Sequence, residues 1–146
     1  MTETAGGCRT ISKVLSGNDT GETGSHQAGI YVPKDGQILS FFPKLPSSLK
    51  NPRKDLIVTD REGNEWGFIF VYYNNKHFGG TRDEYRLTCM TKFIGHHHLK
   101  IGDTLTLSKT SSDSYRVDYI RSSDNSAGKV LRLGNRWRAV NIKGAR

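Results

Sequence analysis

The sequence predicts a mainly β chain, closed or nearly closed into a barrel, with one or two short helices. Sixteen glycines fall mostly at breaks between short runs of β-branched and aromatic residues, a spacing that suits strands joined by turns. Several of those runs alternate apolar and polar side chains with a period of two, as half-buried strands do. The apolar periodicity does not favour long helices, and 146 residues suit a single domain over 1–146.

In chain order, Arg9 to Leu15 alternates Ile11, Lys13 and Leu15 with the other face, as a strand would. Ser16 to Gln27 has no large apolar residue and is rich in glycine, which makes it a first exposed arm. Ile30 to Val32 resumes a strand that Pro33 helps to close. Asp35 is placed to cap a helix over Gln37 to Phe42, which Pro43 stops, and a Pro-rich loop runs on through Pro46 and Pro52. Leu56 to Thr59 and Glu65 to Tyr73 read as strands joined by the turn 60–64, the second too apolar for a sheet edge. Trp66, Phe68, Phe70 and Tyr72 share one face of it and read as core.

Asn74 to Arg86 is a second polar, glycine-containing arm, and Leu87 to Cys89 continues from it as a strand. Thr104 to Leu107 and Tyr115 to Ile120 form a hairpin around the loop 108–114, and Val130 to Ile142 is the final strand region. Trp137, between Arg136 and Arg138, suits either a seal at the barrel end or a contact to a nucleic-acid backbone.

Composition narrows the function. Lys and Arg number 22 against 14 Asp and Glu, a formal charge of +8 with a pI near 9.7, so an anionic partner is favoured and nucleic acid leads. A hydrophobic content of 34% with mean hydropathy −0.60, concentrated in the strand segments, argues against disorder. No run approaches the roughly 20 apolar residues of a membrane span, and the first residues lack a secretory pattern. The expected setting is therefore cytoplasmic, without membrane contact. Cys8 and Cys89 form neither a disulfide framework nor a zinc motif and read as reduced thiols.

Catalytic patterns are sparse. Metal-dependent phosphodiester cleavage needs carboxylates around a divalent cation and a base nearby, and the Glu-x-Lys or Asp-x-Lys element of the common nuclease core does not occur. His98-Leu99-Lys100 has the His-x-Lys spacing of metal-independent phosphodiesterases, but Asp103 comes too early to complete it. His96, His97 and His98 read as a solvent-facing loop, because adjacent strand residues point alternately and nothing completes a tetrahedral ligand set. No catalytic or metal-ligating residue is expected.

The arms carry a different chemistry. Arginine donates two bonds to guanine O6 and N7, and a carboxylate accepts from cytosine N4. Arg82, Glu84 and Arg86 supply those groups in one segment, while Asn18, Thr20, Thr23 and His26 offer further hydrogen-bonding groups. Arg82, Asp83, Glu84 and Arg86 are equally able to pair with one another as a solvated surface network.

Two segments, KVLSGNDTGETGSHQAGIYVP from Lys13 to Pro33 and YNNKHFGGTRDEYR from Tyr73 to Arg86, resemble in the same order the two arms of the N-terminal effector domain of EcoRII-type restriction endonucleases. Arg86-Leu87-Thr88 with the Leu-Lys-x-Gly-Asp turn at Leu99 to Asp103 is similar to plant DNA-binding pseudobarrel domains. The resemblance implies a seven-stranded DNA-binding pseudobarrel with two protruding arms that grip duplex DNA from the major-groove side, at a CC(A/T)GG-like site. It implies DNA contacts from Asn18, Asp19, Thr20, Thr23 and His26, with Tyr31 just behind, and from Lys76, His77, Arg82, Asp83, Glu84, Tyr85 and Arg86. Gly80 and Tyr85 stand where the family has lysines, and Asp83 where it has Asn; the basic tail with Arg132, Arg136, Arg138 and Lys143 is placed to compensate.

The expected function is thus a non-catalytic, sequence-specific effector domain for a short GC-containing duplex site, part of a longer bacterial type II restriction endonuclease. The domain itself would need no cofactor and bind as a monomer, with Mg²⁺ serving only the attached nuclease domain. The alternatives are a self-contained nuclease using His26, His77, Asp83 or Glu84, and a single-strand or RNA-binding barrel, which would need exposed aromatic platforms.

Overall fold

Alternation of buried and exposed side chains builds the strands, and their register sets how the sheet curls. The computed structural model describes residues 9–20, 29–112, 114–122 and 136–140. Among these are eight strands: β1 (Arg9–Val14), β2 (Ile30–Val32), β3 (Arg53–Thr59), β4 (Glu65–Tyr73), β5 (Glu84–Thr88), β6 (Thr104–Lys109), β7 (Tyr115–Ile120) and β8 (Trp137–Val140). Three short helices, α1 (Gly17–Thr20), α2 (Gly36–Leu39) and α3 (Thr91–His96), and a 3₁₀ turn at Asn75–Phe78 lie between them. Among the described residues no helix is long and apolar enough to cross a membrane.

The strands form one sheet in the order β2-β5-β4-β3-β7-β6-β1-β8. The β3–β7 pairing is parallel, and the other neighbouring pairs are antiparallel. β2 and β8 are the two edges, and the Trp137 indole Nε1 bridges them by donating to the Tyr31 carbonyl at 2.8 Å. Trp137 is buried and meets Phe42 edge-on at 6.2 Å. It therefore seals the nearly closed barrel, which decides the question its sequence context left open.

Phe41, Phe68, Phe70 and Phe93 are fully buried at the centre, each a burial worth about 1.5–3 kcal/mol. Phe42 stacks on Phe70 at 4.4 Å, and half-buried Trp66 packs against the same cluster. β4 lies between β5 and β3, as its apolar character requires. Lys13 shares the inward face with Ile11 and Leu15, and its buried ammonium is satisfied by Asp19; a buried charge is tolerated only when paired.

The structure departs from the sequence expectation in identifiable places. Asp35 does cap α2, accepting from the Gln37 amide at 2.8 Å, but the helix ends at Leu39, because Phe41 and Phe42 turn into the core and Pro43 disfavours helical geometry just before it. Glu84 to Arg86, read as arm, belong to β5. Of the three histidines expected in a solvent-facing loop, His96 instead ends α3, His97 and His98 follow it in a turn, and His97 is buried while His96 and His98 are exposed. The eight strands are one more than the resemblance implies. Cys89 is exposed with a free thiol; Cys8 lies outside the described residues, as does most of the expected strand 130–142.

Candidate nucleic-acid interface

β5 turns Tyr85 and Leu87 toward the barrel and Glu84, Arg86 and Thr88 the other way, as strand alternation dictates. Its register sets Arg86 opposite Tyr31 on β2 and Val71 on β4, and Glu84 opposite Tyr73. Tyr31, Arg86, Glu84 and Tyr73 thus share one outward surface, with Arg82 two residues upstream. Glu84 organises it. Its Oε2 accepts from Arg82 Nη2 at 2.6 Å and from Arg86 Nε at 2.9 Å. Burial would raise the Glu84 pKa, but the two guanidinium groups outweigh it and hold the carboxyl below its usual range.

Each arginine has a second support. The Arg82 guanidinium lies 4.0 Å from the centroid of the Tyr73 ring, a cation–π arrangement. Arg86 Nη1 donates to the Gly29 carbonyl at 2.9 Å, and its guanidinium lies 6.0 Å from the Tyr31 ring. The side chains of Arg82 and Arg86 remain 40% and 22% exposed, so donors stay within reach of a ligand. At such exposure each ion pair contributes only about 0–1 kcal/mol to stability; its main effect is to fix direction.

The second arm leaves the barrel at Asn74, which is fully buried. The Asn74 amide N–H donates to Asn51 Oδ1 at 3.2 Å, and its Nδ2 donates to the Leu49 carbonyl at 2.8 Å. The 3₁₀ turn follows, closed by Gly79 at φ +93°. Asn75 Oδ1 accepts from the Arg82 amide at 2.7 Å and Lys76 N–H donates to the Arg82 carbonyl at 2.9 Å, so the two ends of the arm are tied. Residues 76–81 between them, including Lys76 and His77, are exposed.

Asp83 turns away from this group. It accepts from Lys34 Nζ and from the Tyr72 hydroxyl, each at 2.7 Å. The bond from Lys34 and then that from Tyr72 lower the Asp83 pKa. The same Asp83 contact, with burial, pushes the Tyr72 phenol up to about 12. Tyr85 stacks in parallel on Tyr72 at 4.2 Å and on Phe70 at 5.5 Å, packed into the barrel wall. The mutual-pairing arrangement raised by the sequence is therefore present for Arg82, Glu84 and Arg86, while Asp83 takes Lys34 instead.

Of the first arm, Asn18, Asp19 and Thr20 are described, as α1; Thr23 and His26 lie outside the described residues. Asn18 is exposed. Asp19 is bound inward: its Oδ2 accepts from Lys13 Nζ and from the Ser16 amide at 2.9 Å, and its side chain is 7% exposed. It anchors the root of the arm. Sequence reasoning did not single out Tyr73 or Lys34 for this surface. Tyr73 ends an otherwise apolar strand, and Lys34 meets Asp83 from 49 residues away, a pairing that only strand register reveals.

Over residues 5–106 the chain matches the family described as restriction endonuclease EcoRII, N-terminal. The chain belongs to that family. It is 39% identical over 98 residues to the type II restriction enzyme EcoRII of Escherichia coli, an alignment covering 65% of this chain and 24% of that protein. It is 29% identical over 121 residues to auxin response factor 22 of Arabidopsis thaliana, covering 82% of this chain and 18% of that one. The chain thus spans about a quarter or less of the length of these curated relatives. Among solved structures, an Arabidopsis FUS3–DNA complex superposes with a TM-score of 0.59 at 21% identity, covering 76% of this chain and 95% of that one. The B3 domain of the UbaLAI restriction endonuclease with cognate DNA gives 0.59 at 18% identity, covering 92% and 89%. The EcoRII N-terminal family member described here therefore has the B3-type pseudobarrel fold.

Proposed function

We propose that the chain is a sequence-specific duplex-DNA-binding module of a longer type II restriction endonuclease, directing a separate nuclease domain to a short GC-containing site of the CC(A/T)GG kind. The observation that carries this reading is the Arg82–Glu84–Arg86 group. One carboxylate oxygen holds both guanidinium groups, which leaves Glu84 Oε1 to accept from cytosine N4 while an arginine donates to guanine O6 and N7. Neighbouring donor and acceptor groups of this kind match the two edges of one G·C pair in the major groove. Because the geometry exists before binding, little side-chain entropy is lost on contact.

Lys76 and His77 on the exposed loop 76–81 supply phosphate and sugar contacts that set register, and Asn18, Thr20, Thr23 and His26 provide the matching first-arm contacts, with Tyr31 beside Arg86. Asp19 and Tyr85 act by shaping these surfaces, and Asp83 fixes the root of the second arm through Lys34 and Tyr72. Family membership supports the reading, as do two structural neighbours solved with DNA. The module works without a cofactor, as a monomer in a bacterial cytoplasm, and Mg²⁺ serves the attached nuclease.

The test is fluorescence anisotropy with labelled duplexes under fixed salt. A CC(A/T)GG duplex is expected to bind at least 10³-fold more tightly than a scrambled one, the lower range for specific recognition. Equal affinity for both, or tighter binding to single strands, would overturn the proposal; cleavage of plasmid by the purified chain with magnesium would favour the self-contained nuclease.

A further inference from the structure

Far from the Arg82–Glu84–Arg86 surface, the turn between β3 and β4 meets the C-terminal end of α3. Glu62 comes from the turn, His96 is the last residue of α3 and His97 follows it. One ligand atom from each of these three side chains lies within 4.8 Å of the other two. The strand argument against adjacent histidines does not apply here. At a helix end, successive residues are rotated by about 100° rather than 180°, so neighbouring rings can converge, and the His96 and His97 rings meet at 4.7 Å.

The turn beneath is built to orient one of those rings. Buried Asp60 accepts from the Glu62 and Asn64 amides at 2.9 Å each, from Trp66 Nε1 at 2.9 Å, and from His97 Nε2 at 3.2 Å. Both Asp60 oxygens are already engaged by N–H donors, Oδ1 by the Glu62 and Asn64 amides and Oδ2 by the Trp66 indole, so Asp60 meets His97 as an acceptor. An acceptor-only partner requires His97 to carry its proton on Nε2, which leaves the lone pair on Nδ1. A carboxylate that fixes the far nitrogen of a histidine is the second layer of support found around metal-bound imidazoles. His97 is 5% exposed, so its ring cannot swing away.

We propose that Glu62, His96 and His97 bind a divalent transition metal ion, Zn²⁺ by preference, with Asp60 as the positioning residue for His97. Two imidazoles and one carboxylate are a borderline donor set suited to zinc, with water completing the tetrahedron. Bonds of about 2.0–2.2 Å would draw the ligand atoms to roughly 3.4 Å apart. His97 stays fixed, while exposed Glu62 and His96 have the rotamer freedom to close that distance. The ion would pin the β3–β4 turn to α3. Since β4 runs from this turn to the second arm, roughly 26 Å at about 3.3 Å per residue, the site is separate from the proposed DNA surface and does not depend on it.

The experiment is calorimetric titration of the tag-free, chelator-treated chain with zinc chloride, paired with cobalt(II) absorption. One equivalent of zinc is expected to bind, with intense ligand-field bands of four-coordinate cobalt that zinc abolishes. His96→Ala and Glu62→Gln, both at exposed side chains, are expected to weaken binding at least tenfold, and Asp60→Asn by about 10–100-fold. His77→Ala and His98→Ala should bind as the parent does. If Asp60→Asn does not fold, the two exposed variants still decide. Absence of saturable binding, or unchanged affinity in both His96→Ala and Glu62→Gln, would overturn the site.

Discussion

Glu84 is the residue on which the proposed interface turns, because one of its oxygens orients two arginines and the proposal assigns the other to a base. Replacing Arg82 by Ala removes the proposed base-edge donor pair and leaves the barrel untouched, since its stacking partner Tyr73 is anchored in β4. Binding to the specific duplex is expected to weaken by about 1–3 kcal/mol, with much less effect on scrambled DNA; equal loss on both would assign Arg82 to phosphate. Tyr72 offers a test free of DNA. Its phenol is raised from 10.0 to about 12 by the bond to Asp83 and by burial, so the neutral form is favoured in the folded state. That stabilisation is complete below pH 10 and is lost as pH rises through about 12. Denaturant midpoints measured across this range should fall in the parent and fall less in Tyr72→Phe, while an identical decline in both would remove Tyr72 as the cause.

At the scale of elements, the short edge strand β2 is seated against β5 at a point where no side chain fits. Gly29 has φ +94°, and a Cβ there would lie 2.2 Å from the Leu87 carbonyl oxygen, a backbone atom that cannot move without breaking the ladder. Gly29→Ala is expected to destabilise the fold by about 2–4 kcal/mol and to displace the carbonyl that holds Arg86, so thermal unfolding and specific DNA binding should both suffer. An alanine variant with an unchanged melting temperature would refute this. Which elements the sequence announced follows from side-chain exposure. β4 was legible in full because its inward face is an unbroken series of aromatics. β3 is visible in the sequence only from Leu56, because Arg53, Lys54 and Asp55 are exposed and carry no apolar signal. The start of β5 has the sequence pattern of an arm, because Glu84 and Arg86 face outward and Tyr85 alone points in. α3 leaves no signal in the sequence, since its N-cap, Met90, makes no side-chain capping bond and Gly95 interrupts its pattern.

For the molecule as a whole, the excess of positive charge sets how it responds to salt and acid. Asp60, Asp83 and Glu84 all titrate below their ordinary values of 3.8 and 4.5: the bonds they accept favour the ionised form, against burial in Asp60 and Glu84. Groups lowered in the folded state stabilise it fully above those ordinary values, and the contribution is lost as pH falls through the lowered ones. Protonation also adds positive charge to a chain already at +8. The urea midpoint is therefore expected to be flat from about pH 7 to pH 5 and to drop steeply below about pH 4; a midpoint that holds at pH 3 would contradict this.

The one-dimensional pattern determined the class of the fold, the inward face of its longest strand, the cap on α2 and the segment from which the candidate interface is drawn. These depend on local periodicity, turn residues and charge, all of which act over a few positions. Only the tertiary structure decided that Asp19 faces Lys13, that Lys34 takes Asp83, that Tyr73 backs Arg82, that Trp137 closes the barrel onto Tyr31, and that Glu62 meets two histidines. Those partners are brought together by strand register and by the order in which strands assemble, and such pairings leave no mark on the spacing of residues along the chain.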